Sequence, residues 1–145
     1  MKKLRIIILA MLGVFAIAMT VTTNAVQVHA SSSTTTPKAL RGTWYRYRSK
    51  GHYDYVRITP HSFTFNGTKY TPYKSGAHKL KVSKWGSWYS FNKGSSGANL
   101  GQFKTEKRLI KDSYKKSLVR YHGLGTYNVY AHGKYGKDYS FKILD

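Results

Sequence analysis

From residue 40 onward the chain alternates residue by residue, and that alternation restricts the fold more than any other feature of the sequence. Thr43, Tyr45 and Tyr47 interleave with Trp44, Arg46 and Arg48. Beyond the turn residues Ser49-Lys50-Gly51-His52, Asp54, Val56 and Ile58 interleave with Tyr53, Tyr55 and Arg57. A period of two sends neighbouring side chains to opposite faces of a strand, so the two segments predict a hairpin. Phe63-Thr64-Phe65 and Thr68-Lys69-Tyr70 flank Asn66-Gly67. Asn and Gly both tolerate the positive φ of a tight hairpin turn, which makes this the strongest short hairpin signal in the chain.

Leu80 and Val82 alternate with Lys79, Lys81 and Ser83, giving one dry face and one basic face. Residues 88–91 read as another strand and 93–99 as a Gly/Ser-rich exposed loop. Further strands are expected over 102–110, 118–122, 126–131 and 139–144. Residues 108–118 also fit a helical face through Leu109, Ile110, Ser113, Tyr114, Ser117 and Leu118. Asp112-Ser113 suits a turn, however, and no cap pair frames a helix, so two strands are preferred. About eight short strands with almost no helix predict an all-β fold, a small antiparallel barrel or sandwich, with the barrel preferred because closure hides strand edges.

The N-terminus has a different character. Lys2, Lys3 and Arg5 precede an apolar run over 6–18, and a polar stretch then leads into Val28-His29-Ala30. Charge, apolar core and small-residue site in that order predict a secretory signal peptide over 1–30, cleaved after Ala30, with Ala25 the second choice. The apolar run is shorter than the ~20 residues a membrane-spanning helix needs. The Ser/Thr-rich residues 31–38 are expected to be a disordered spacer, leaving 39–145 as the β domain.

The chain carries 25 Lys and Arg against 5 Asp and Glu, a formal charge of +20. The leader holds only three of those cations and none of the acids, so the excess belongs to the β domain and an anionic partner is expected. Five carboxylates leave little material for acid/base chemistry built on carboxylate pairs. With no cysteine, disulfide scaffolds, thiolate zinc sites, cysteine nucleophiles and a lipidated N-terminal Cys are all excluded. An exported domain without disulfides points to a bacterial source. His52, His61, His78, His122 and His132 keep no metal-ligand spacing, so neither metal nor other cofactor is expected.

Leu40-Arg41-Gly42-Thr43-Trp44-Tyr45 opens the domain with Gly-x-Trp. Together with the leader, the Ser/Thr spacer and the Lys/Tyr-rich strands, it resembles small secreted proteins of lactic acid bacteria and the first strand of lipocalin-like (calycin) barrels. The resemblance implies that Gly42 and Trp44 are structural, with Trp44 closing one end of the barrel and a late-strand cation, Arg120 or Lys142, packed across it. The second lipocalin motif and the helical lid of the fatty-acid binders are absent from this chain.

Basic and aromatic side chains are interleaved through much of the domain, a pairing that suits phosphates together with flat rings. The residues expected to bind a polyanion or glycan are Arg46, Arg48, Lys84, Trp85, Trp88, Tyr89, Lys115, Lys116 and Arg120. Trp85-Gly86-Ser87-Trp88-Tyr89 reads equally as a core plug or as an exposed aromatic platform. The function expected is a noncatalytic, secreted, strongly cationic domain held at the surface of a Gram-positive cell by anionic wall polymers through counterion release. One alternative is a lipocalin-like binder of a small apolar ligand. Another is a small secreted nuclease using Glu106 or Asp54, His122 and Arg120.

Overall fold

A computed structural model describes residues 35–143. The expected leader and residues 31–34 of the expected spacer lie outside that range, as do 144–145. The described chain contains ten strands: β1 Gly42–Ser49, β2 His52–Thr59, β3 Ser62–Phe65, β4 Thr68–Tyr70, β5 Leu80–Trp85, β6 Trp88–Lys93, β7 Asn99–Ile110, β8 Ser113–Gly123, β9 Thr126–Tyr130 and β10 Phe141–Lys142. Two short 3-10 turns, Lys38–Leu40 and Gly76–His78, complete it. The fold is all-β, as the alternation predicts. Its strands form two antiparallel sheets, one ordered β1-β2-β3-β4 and the other β10-β9-β8-β7-β6-β5.

The sheets also touch at their margins. Tyr45 and Ala131 exchange backbone hydrogen bonds of 2.7 and 2.9 Å, forming an antiparallel bridge between β1 and the end of β9. Thr71 and Lys79 form a parallel bridge between the segments that follow β4 and precede β5.

Turn chemistry sets most of the register. Asn66 and Gly67 have φ of 44° and 91°, the pair of left-handed residues a two-residue hairpin needs, and Phe65 accordingly pairs with Thr68. Residues 108–118 form two strands and no helix. Their turn is Lys111-Asp112, one residue earlier than expected, with Lys111 at φ 53° and Ile110 paired to Ser113.

Alternation sends Trp44, Val56, Ile58, Phe63, Leu80, Val82, Phe91, Phe103, Leu118 and Tyr130 into the space between the sheets. Phe63, Phe91 and Phe103 touch one another with ring centroids 4.8, 5.5 and 5.3 Å apart, so aromatic side chains fill the middle of the fold. Burying each such ring contributes about 1.5–3 kcal/mol relative to leaving it exposed. A second cluster, Ile110, Val119 and Val129, lies on the outer face of the six-stranded sheet. There the chain beyond β9 folds back and covers it with Tyr135, Tyr139 and Phe141.

The last residues of the expected spacer are part of the fold. Thr36 is buried, its Oγ1 donates to the Thr59 carbonyl at 2.5 Å, and its N–H donates to the Pro60 carbonyl at 2.9 Å. Arg41 in turn donates to the Thr36 carbonyl at 2.8 Å. A polar run stays disordered only when nothing satisfies it, and the end of β2 supplies partners here. The folded unit thus includes Thr36, ahead of the expected start at 39.

Trp44 is fully buried and donates from Nε1 to the Leu40 carbonyl at 2.9 Å. His132 stacks on it at 3.7 Å. Gly42, at φ 138°, leaves room for that imidazole, since a Cβ there would lie 2.7 Å from His132 Cε1. The cation near the indole is Lys116, at 6.0 Å, in place of the Arg120 or Lys142 implied by resemblance. Lys116 shares the inward parity of Arg120 along β8 but reaches the level of Trp44, whereas Arg120 lies further along, over Phe65 and Phe103. Lys142 is exposed on β10.

Candidate functional site

Beyond the aromatic interior, the same inward parity carries polar side chains to an opening between the sheets. The opening is a cleft of about 660 Å³. Its guanidiniums are Arg46 and Arg48 from β1 and Arg120 from β8; Asp54 from β2 is its carboxylate. Phe65, Leu124 and Asn128 contribute the apolar and amide parts of the wall, and His122 sits at the rim.

Arg46 follows Trp44 by two positions and so points inward, where it is only 9% exposed. It lies directly opposite Asp54 in the β1–β2 register. Its Nη2 and Nε donate to Asp54 Oδ2 at 2.5 and 3.2 Å, and Nη1 donates to Asn128 Oδ1 at 2.8 Å. A charge taken this far from water needs such partners, and all three nitrogens have one. Asp54 also accepts from Asn66 Nδ2 at 2.9 Å and has Arg48 Nη1 at 3.7 Å. Burial alone would push its carboxyl up, but the hydrogen bonds from Arg46 and Asn66 and the two arginine charges outweigh that and leave it below 3.8.

Arg120 is set differently. Its Nη2 donates to the Leu100 carbonyl at 2.9 Å, and its guanidinium lies 4.8 Å from the Phe65 ring and 6.0 Å from Phe103. Gly101 makes the position possible, because a Cβ there would fall 2.6 Å from Arg120 Nε. That Nε is buried with no hydrogen-bond partner, and so is the hydroxyl of the fully buried Tyr130. Burial pushes the Tyr130 phenol up, against the opposing pull of the Arg120 and Arg46 charges. At the rim, Leu124 holds φ 46° with its side chain 90% exposed. A bulky residue in that left-handed region is a genuine outlier.

Three guanidiniums therefore meet one carboxylate. Asp54 is bound to Arg46 and only loosely paired with Arg48 at 3.7 Å, Asp138 approaches Arg46 from outside the cleft at 3.9 Å, and Arg120 has no carboxylate partner among the described residues, so the cleft keeps an excess of positive charge.

The remaining expected binding residues lie elsewhere. Lys84 and Tyr89, 5.7 Å apart, border a separate cleft of about 310 Å³ beside Thr36 and Arg41. Trp85 and Trp88 face each other across the Gly86-Ser87 turn. Trp85 is 76% exposed, while Trp88 packs into the outer cluster with Lys104 at 4.8 Å over its ring. The segment thus divides between the two roles expected for it. Lys115 lies opposite Arg108 on β7, and Lys116 approaches Trp44. Glu106 is paired with Lys104 at 2.7 Å and Arg108 at 3.4 Å and does not line the cleft. Among the described residues no cluster of His, Asp or Glu is arranged to hold a metal ion.

Phe65, Asn66, Gly101, Leu124, Asn128 and Tyr130 are the site residues that sequence reasoning missed. The available signal was parity, since Arg46 and Arg48 share it with the buried Trp44, as Arg120 and His122 share it with Leu118. No protein-family model, curated protein or solved structure matches the chain.

Proposed function

We propose that this is a noncatalytic, secreted β domain, a flattened lipocalin-like barrel with seams at Tyr45–Ala131 and Thr71–Lys79, retained at a bacterial surface by anionic wall polymers. The observation that carries this reading is how little of the charge is neutralised internally. Among the described residues, ion pairs engage only Arg46, Arg48, Lys104 and Arg108. Exposed cations outside those pairs, among them Lys50, Arg57, Lys69, Lys81, Lys107 and Lys137, are open to an external polyanion, and releasing its counterions drives binding with a steep salt dependence. The interior favours this over carriage of a small apolar molecule, because Phe63, Phe91, Phe103 and Trp44 occupy the space such a ligand would need.

Intact cells washed with rising NaCl test the reading: the protein should leave progressively, and retention indifferent to salt would refute it. The mass of the released chain should correspond to a start at Ser31.

One observation favours a second reading, a secreted nuclease. Asp54, His122 and Arg120 border the same cleft. Against it, Asp54 is locked by Arg46 and Asn66 and held below the usual carboxylate range, which makes it a feeble general base. RNA and DNA left intact by the purified protein, with and without divalent metal, would dispose of it.

A further inference from the structure

We propose that the arginine cleft is a one-per-chain site for a phosphate group carried on a polyol or sugar, with Arg48 and Arg120 taking the phosphate and Phe65 and Leu124 facing the carbon skeleton. This rests on the reading of the domain as a binder of anionic polymers and turns a diffuse attraction into a specific one. Four observations converge on it.

The first is charge: three guanidiniums and a histidine surround a single carboxylate, which is already committed to Arg46. Arginine's planar fork suits the oxygens of a phosphate, whereas a general polyelectrolyte contact would be served by scattered lysines.

The second is preorganisation. Arg120 is fixed between the Leu100 carbonyl and the Phe65 and Phe103 rings, in a hollow that only a glycine at position 101 leaves open. Arg46, Asp54 and Asn66 form a braced floor in which each polar side chain is held by another. Restricting these side chains before the ligand arrives lowers the entropy lost on binding.

The third is size. A space of about 660 Å³ exceeds what one phosphate fills and falls within the range of small-molecule sites, so a phosphate with its attached unit fits.

The fourth is Leu124. An exposed leucine at φ 46° is poorly suited to its turn, where Asn or Gly would sit without strain. Backbone strain of this kind gathers at ligand sites, and here it places an apolar side chain on the rim of a cationic cleft, where it can cover the carbon face of a ligand.

The test is a nuclear magnetic resonance titration of the folded domain, using sn-glycerol 3-phosphate, inorganic phosphate and glycerol as probes. The expected result is saturable one-to-one binding of glycerol phosphate, with shifts confined to the cleft, chiefly Arg48, Phe65, Arg120, Leu124 and Asn128. Inorganic phosphate should bind more weakly and glycerol not at all. R48Q and R120Q should each weaken binding roughly tenfold, the loss expected for one charge-assisted hydrogen bond. K81Q, at an exposed lysine outside the cleft, removes the same charge and should leave binding unchanged. Should R120Q fail to fold, R48Q at the exposed edge carries the test.

Non-saturable shifts spread over surface lysines, or equal losses in R48Q and K81Q, would overturn the proposal. So would glycerol phosphate binding no better than inorganic phosphate. Tighter binding of a single-stranded oligonucleotide through the same residues would assign the cleft to nucleic acid instead. Tighter binding of anionic phospholipid vesicles through Leu124 would assign it to membrane. Salt-dependent retention on isolated cell walls, measured in parallel, separates the two levels. If retention persists while R48Q and K81Q behave alike, only the site falls; if retention is absent while titration saturates, only the surface reading falls.

Discussion

Arg46 and Asp54 face each other across the β1–β2 pair, with guanidinium on carboxylate at 2.5 Å inside the mouth of the cleft. Neither group is free to leave its partner without stranding a charge that water barely reaches. Asp54→Ala should therefore cost about 3 kcal/mol in chemical denaturation, since Arg46 stays buried with only the Asn128 amide and the more distant, exposed Asp138 carboxylate at 3.9 Å as partners. The double variant Arg46→Met/Asp54→Ala should lose clearly less than the two single losses added together. Additive losses would show that the pair does not act as a unit.

The same pair fixes the response to acid. The Asp54 carboxyl is depressed in the folded chain, so the unfolded chain binds the proton first as pH falls. Its stabilising contribution is complete above the unfolded value of about 4 and is lost as pH drops through the lower folded value. Denaturation midpoints measured from neutral pH downward should fall in that window for the wild type. Asp54→Asn should remove that part of the slope, and an unchanged slope would locate the acid sensitivity in another carboxyl.

Trp44 offers a test of the buried end. Trp44→Ala should cost about 3–5 kcal/mol, the range for deleting a large core aromatic. Trp44→Phe keeps much of the volume but orphans the Leu40 carbonyl, and a smaller loss of about 1 kcal/mol is expected. Near-equal losses would mean that the Nε1 bond to Leu40, more than ring packing, holds the 3-10 turn against the sheet.

How much of this could be read from the chain follows from what alternation does and does not encode. Period two and Asn66-Gly67 are local, so the strands and their hairpins were legible. Parity states that Trp44 and Arg46 share a face, but not that the face is interior. Polarity alone would turn an arginine outward, whereas here Tyr45 and Tyr47 lie on the outer side and Arg46 within. What reverses the expectation is Asp54, a partner on another strand that makes burial of the guanidinium tolerable. Thr36 is illegible for a similar reason, since Thr59 and Pro60, which satisfy it, lie at the far end of the β1–β2 hairpin. The cleft needed all of these pairings at once, so only Arg46, Arg48 and Arg120 of the nine expected binding residues come together.

Leu124 predicts a conflict between stability and binding. Leu124→Asn places a residue that tolerates positive φ in the turn and removes an exposed apolar side chain. It should stabilise the fold by about 1 kcal/mol, visible as a higher melting temperature, while weakening glycerol phosphate. A variant both more stable and equally competent would show that the leucine serves no ligand.

The single bridge between Tyr45 and Ala131 also governs the order in which the molecule can assemble. The sheet pairings from β1 to β9 join strands consecutive in the chain, so their hairpins can form locally as residues emerge from the ribosome. The outer margin of β1 has no such neighbour and stays unpaired until Ala131 arrives, when nearly the whole chain is out. During that interval an open edge is exposed beside a half-built aromatic interior, the state in which β proteins are most prone to associate with one another. A strong excess of like charge on every copy is then useful before any ligand is met, because it keeps unfinished chains apart while they wait to close.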